Sequence, residues 1–273
     1  MENINPLFIL QPILVIAFSS ALMVYLYKKR RFRRSVWLYA FIAYAGAIAL
    51  KYAVQLPTIS LVLGAGPVAL GIYFGVQTVV FEVGLAYVLA YFAVSRGKLD
   101  QRDSEAYGSG LAFWENVGLL SVLGLINLVG YYFILSDGGS SLAQLTYTQL
   151  SEYAPELFVS NSRALGFVAL GTLERISSAM VHIAWGYLCI MAVVHRKKKL
   201  FFIALPMGFV DFLVPFAGDS LVLFEAVIFI LAAASIFVAW YATKDLRKKS
   251  LDSHISPYMG VDTQAVDAQK ESD

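Results

Sequence analysis

The chain has 273 residues, of which 59% are hydrophobic and only 15% charged, with a formal net charge of +2. That balance excludes an ordinary soluble domain and a nucleic-acid binder, and it makes the chain an integral membrane protein whose first partner is the lipid bilayer. The single cysteine, Cys189, excludes an intrachain disulfide.

Seven apolar segments, each near or above the roughly 20 residues a helix needs to cross the hydrocarbon, follow one another along the chain. They run over about 7–27, 35–56, 67–94, 106–135, 163–194, 200–217 and 220–242. The first has no basic leader before it, so it is expected to be a span and not a cleaved signal peptide. In the third, Gly71 and Gly75 lie four apart, a spacing that allows close helix contact. Between the fourth and fifth, in the loop at 136–162, Leu142, Leu145, Leu150 and Tyr153 recur at roughly helical spacing, so either a short interfacial helix or a plain surface loop is expected. The sixth is the shortest, and Pro206 and Pro215 predict a kinked or tilted span. The seventh contains no lysine, which excludes a retinal Schiff base there. Residues 250–273 are polar and aperiodic and read as a disordered cytoplasmic tail behind a membrane domain over 1–249. Segments this long, without alternation, give an all-α polytopic bundle of seven spans and exclude a barrel.

Basic residues cluster on one set of flanks: "KKRRFRR" at 28–34, "SRGKLDQR" at 95–102, "HRKKK" at 195–199 and "KDLRKK" at 244–249. The loop at 136–162 has neither Lys nor Arg. The positive-inside rule then predicts an outside N-terminus and a cytoplasmic C-terminus, in a multi-pass protein of the cell membrane.

Eight ionisable residues fall at membrane depth: Lys51, Glu82, Glu115, Glu174, Arg175, His182, Asp211 and Glu225. A charge at the centre of a span costs about 3 kcal/mol on insertion scales, so each needs a partner, a cavity or neutralisation. Lys51 and Glu225 lie near predicted span ends and read as snorkelling interface anchors. Counted inward from the basic flanks, Glu82, Glu115, His182 and Asp211 fall within one layer about 5 Å thick, on four helices. A shared polar site is the simplest explanation. Arg175 and His182, seven residues apart, share a helix face with Ser178 between them. Arg175 keeps its charge and needs carboxylates, with Glu174, Asp211 and Glu225 the nearest in depth. For His182, a neutral imidazole bonded to Glu82 or Glu115 and a metal ligand are both open, since Glu and His are zinc ligands.

Four local patterns, in one order, resemble a single family, the YhfC-type intramembrane metalloproteases of the CAAX-protease and related superfamily. "GVQTVVFEVGLAY" at 75–87 looks like its Phe-Glu-Glu segment, with Glu82 at the first glutamate. "AYGSGLAFWENVG" at 106–118 is similar to its glycine-rich segment, with Gly108, Gly110 and Glu115 in step. "LERISSAMVHIAWG" at 173–186 resembles its Glu-Arg segment followed by histidine, supplying Glu174, Arg175 and His182. "LPMGFVDFLVPF" at 205–216 resembles the segment that ends in Asp211. The resemblance implies a metal held by Glu82 and His182, with Glu115 as the third catalytic residue and Glu174, Arg175 and Asp211 in structural support. Zinc is the ion implied, and a site with no ion stands beside it. The sequence departs from the family pattern at Val83, Leu111 and Met207, where a glutamate and two histidines are usual. "MVHIAWGYL" is also similar to the histidine-bearing helix of a non-catalytic relative, the gamma-secretase scaffold subunit. Two functions follow: an intramembrane metallo-endopeptidase acting on a transmembrane or peptide substrate, or a non-catalytic scaffold that binds a partner protein. A transporter or sensor using the polar cavity is the third.

Overall fold

The computed structural model describes residues 2–217 and 220–246, so the tail expectation at 250–273 lies outside the described residues. The described residues hold no strand, and seven helices are long and apolar enough to cross a membrane. In chain order these are α1 (Pro6–Arg30), α2 (Ser35–Leu63), α3 (Pro67–Ser95), α4 (Gln101–Ser136), α6 (Asn161–Val194), α7 (Lys198–Phe216) and α8 (Leu221–Ala242). A non-spanning helix, α5 (Ser141–Tyr153), fills the loop at 136–162 and starts where the Ser140 hydroxyl accepts from the Ala143 amide at 3.1 Å.

The widest departure from the sequence reading is at α2, which runs to Leu63 and carries Pro57 inside it. Thr58 donates its hydroxyl to the Val54 carbonyl at 2.5 Å, one residue along from the Ala53 carbonyl that Pro57 leaves without its amide donor, and the helix runs on through the proline. Lys51 is therefore far from the end of its span. In α7 the prolines act through geometry: residues Leu205–Phe216 wind as a 3-10 helix. Its steeper rise, about 2.0 Å per residue, gives the 19-residue α7 a length of about 34 Å where an α-helix would give about 28 Å. The shortest segment thus still spans.

α6 is the central post, with 67% of its most apolar window buried against 6–33% for the other spans. It packs on α3, α4, α7 and α8. Its approach to α4 depends on glycine on both sides: a Cβ on Gly186 would strike the Cα of Gly108, and one on Gly108 would come within 2.6 Å of the Ile183 carbonyl. Gly71 and Gly75 of α3 lie as closely against Phe212 and Phe209 of α7. Alanines complete these contacts, Ala40, Ala43 and Ala47 on α2 and Ala86, Ala90 and Ala93 on α3 all being buried. Small residues let helices approach where lipid supplies no hydrophobic drive between them.

Polar contacts pin both ends of the bundle. At the basic end Arg30 pairs with Glu105 at 2.7 Å, Arg33 pairs with Asp100 at 2.8 Å, and the Arg33 amide donates to Asp103. At the other end the Asn5 side chain donates to the Val159 carbonyl and to Asn161, drawing the start of the chain to the start of α6.

Candidate metal centre

Two of the site carboxylates sit where the helices change their winding. Glu82 lies in a π-helical stretch of α3, Thr78–Val83, and Glu115 in a second one in α4, Trp114–Ser121. A π turn takes more residues than an α turn and rotates its side chains off the regular faces, which is why such turns recur at functional sites. Here the two stretches turn Glu82 and Glu115 toward the regular helix α6, which presents His182.

One ligand-type atom from each of Glu82, Glu115 and His182 lies within 4.8 Å of the others. His182 Nε2 is 2.9 Å from Glu115 Oε2 and 3.4 Å from Glu82 Oε2. His182 Nδ1 faces the Ser178 carbonyl at 2.9 Å, a contact in which the ring nitrogen donates, so Nε2 is turned between the two carboxylates. Nε2 is buried and makes no hydrogen bond of acceptable angle among the described residues. Trp185, with its ring centre 4.2 Å away, and Tyr44, at 6.3 Å, hold the imidazole in place.

Each carboxylate is held by its other oxygen. Lys51 Nζ meets Glu82 Oε1 at 2.5 Å, Thr78 Oγ1 at 2.8 Å and Asp211 Oδ2 at 3.4 Å, which uses all three of its donors. Thr78 in turn donates its hydroxyl to Asp211. Glu115 Oε1 accepts from Arg175 at 3.0 Å and from Ser178 Oγ at 3.1 Å, and Arg175 also pairs with Glu174. Asn116 donates to the Arg175 carbonyl.

The depth layer therefore closes around Glu82, Glu115 and His182, with Asp211 joined to it through Lys51 and Thr78. Three expectations are corrected. Lys51 is no interface anchor: α2 carries it to mid-span, and its side chain is only 14% exposed. Arg175 pairs with Glu115 and Glu174 and not with Asp211 or Glu225, because the π turn brings Glu115 to it while Asp211 is taken by Lys51. Glu225 does not snorkel; it is buried against α6 and lines the same cavity as the centre. Val83, Leu111 and Met207 stand in the apolar core and line no part of that cavity. Val83 packs at Gly208 and Leu111 at Gly186.

The donor set fits a divalent ion. A buried Nε2 facing two carboxylate oxygens calls for a cation between them, a proton or a metal, and imidazole and carboxylate are both ligand types of zinc. Charge agrees with this. Lys51 and Arg175 face four carboxylates, Glu82, Glu115, Glu174 and Asp211, so the cluster with a neutral imidazole has a formal excess of two negatives. Beside it opens a cavity of about 510 Å³ whose far wall is apolar, with Val210 and Val214 from α7 and Leu221, Phe224 and Ile228 from α8.

A seven-span helical bundle with a buried histidine and two carboxylates braced by internal cations defines a polytopic membrane protein equipped to hold a metal. The description "YhfC intramembrane metalloprotease" belongs to the family model that matches residues 12–237, and the chain belongs to that family. No curated protein and no solved structure matches it.

Proposed function

We propose that this chain is an intramembrane metallo-endopeptidase of the cell membrane, with its N-terminus outside and its C-terminus cytoplasmic. In this reading His182 Nε2 and Glu82 Oε2 hold a zinc ion, and Glu115 works beside them. The observation that carries it is the aim of His182 Nε2 between two carboxylate oxygens whose partner oxygens are already tied.

When bound, the ion would polarise a peptide carbonyl and supply a water of lowered pKa. The protein's own groups do the rest. Glu115 Oε2 is the base that takes a proton from the attacking water and returns it to the leaving amide nitrogen, while Arg175 and Ser178 hold Oε1 so that the working oxygen stays aimed. Ser178 fixes the His182 ring through its carbonyl, and Lys51 does the same for Glu82 through Oε1. The cavity receives an unwound transmembrane or peptide segment against its apolar wall.

Metal analysis of protein purified in mild detergent tests the reading. Near-stoichiometric zinc, lost in His182→Ala together with cleavage of a transmembrane reporter, is expected. Protein that is metal-free and keeps its full melting temperature in chelator would falsify the metal reading. That outcome favours the scaffold alternative, in which Lys51 and Arg175, each paired with a site carboxylate, tie the helices together.

A further inference from the structure

Glu225 has no role in the centre described above. It is the fifth residue of α8, and it is 3% exposed. Its Oε2 is buried with no hydrogen-bond partner among the described residues. A buried carboxylate oxygen left unpaired is costly, and in a cavity wall a ligand can supply the missing donor or charge. The wall in question is the apolar one, where Glu225 is the one charged residue that α8 contributes.

Glu225 faces one acid and one base. The charges of Glu174 and Arg175 both bear on it, and Arg175 is already shared between Glu174 and Glu115. Glu225, Glu174 and Arg175 together leave one formal negative charge, and the cavity admits a group of opposite sign.

The register also follows. Arg175 stands seven residues before His182 on one straight helix, about 10 Å along its axis. The charges of Glu174 and Arg175, and not that of His182, act on Glu225, which places it toward the Arg175 end of that distance. An extended peptide advances about 3.3 Å per residue, which makes that distance about three residues.

We propose that Glu225 is a recognition site for a cationic side chain, lysine or arginine, on the segment that enters the cavity, about three residues from the bond presented at His182 on the side of the Asn161 end of α6. The register rests on the protease reading. The cation preference itself needs only that a peptide enters the cavity.

The test uses the full chain in lipid nanodiscs and fluorescent single-span peptides that differ at one central position, lysine, leucine or glutamate, read by anisotropy. Wild-type protein is expected to bind the lysine peptide about tenfold tighter than its leucine twin, the discrimination that one well-placed charge pair supplies. Glu225→Gln, nearly isosteric, is expected to bind the two alike at an unchanged melting temperature, and Glu225→Lys to favour the glutamate peptide. If Glu225→Lys does not fold, the glutamine variant decides alone. The proposal is overturned if wild-type protein binds the lysine and leucine peptides equally, or binds neither, or if Glu225→Gln keeps the lysine preference. Cleavage in the same samples, mapped by mass spectrometry, tests the other reading separately. A lysine preference without cleavage leaves this site standing and removes the protease, and cleavage with a preference blind to Glu225 does the reverse.

Discussion

Replacing Lys51 by methionine keeps the bulk of the side chain and removes the ammonium from between Glu82 and Asp211. Both carboxylates then lose their cation, Glu82 with 9% of its side chain exposed and Asp211 with 35%. Removing one partner of a buried pair costs about 3–5 kcal/mol, and the exposure of Asp211 puts the expected loss at the lower end, about 3 kcal/mol. The same excess of negative charge should draw in a divalent ion. The Lys51→Met protein is therefore expected to melt well below wild type in chelator and to recover more on adding zinc than wild type does, because an ion that binds only the folded state stabilises it by mass action. Lys51→Arg should restore most of the metal-free stability, and the double variant Lys51→Met, Asp211→Asn should lie nearer wild type than Lys51→Met alone. Thermal unfolding in one detergent, with chelator and across a zinc titration, measures all four proteins. A Lys51→Met protein as stable as wild type in chelator, with the same response to zinc, would refute the assignment of Lys51 to the centre and return it to the membrane interface.

Two further outcomes are expected. Gly186→Ala puts a methyl group against the backbone of Gly108, so α4 and α6 must part; a loss of about 1–3 kcal/mol in thermal unfolding and a weaker zinc isotherm should appear together, since Glu115 and His182 ride on those two helices. For orientation, a cysteine placed at Gly139 should react with an impermeant thiol reagent from outside intact cells and one at Lys98 only after permeabilisation, and the opposite pattern would reverse the topology.

The sequence made the spans legible because length and apolarity suffice for them, and six of the seven ran close to their expected bounds. α2 is the exception: it runs past the expected end at 56, through Pro57, to Leu63. That error propagated to Lys51, since the snorkelling argument depends on distance to the helix end. Glu82, Glu115 and His182 were legible as a layer because depth along a span is a linear count. Which carboxylate faces Arg175 was not, because the answer depends on rotation about α4, and the π turn that sets it leaves no signature in residue type. Glu225 was hidden for another reason: whether a residue near a span end faces lipid or the bundle depends on where the neighbouring helices lie, and no local pattern carries that.

The π turns at Glu82 and Glu115 have a consequence for how such a site is gained or lost. A π turn holds about one residue more than the α turn it replaces. In α3 the contact face of Gly71 and Gly75 lies before that extra residue, and the buried alanines Ala86, Ala90 and Ala93 lie after it. Dropping one residue from Thr78–Val83, such as the exposed Val80, is expected to let the helix rewind as a plain α-helix between these two faces and to shift Glu82 relative to His182. Such a deletion should leave helix content and melting behaviour near wild type and abolish zinc binding. The architecture and its chemistry are then separable by a single codon, and a family built this way can shed catalysis without first losing its fold.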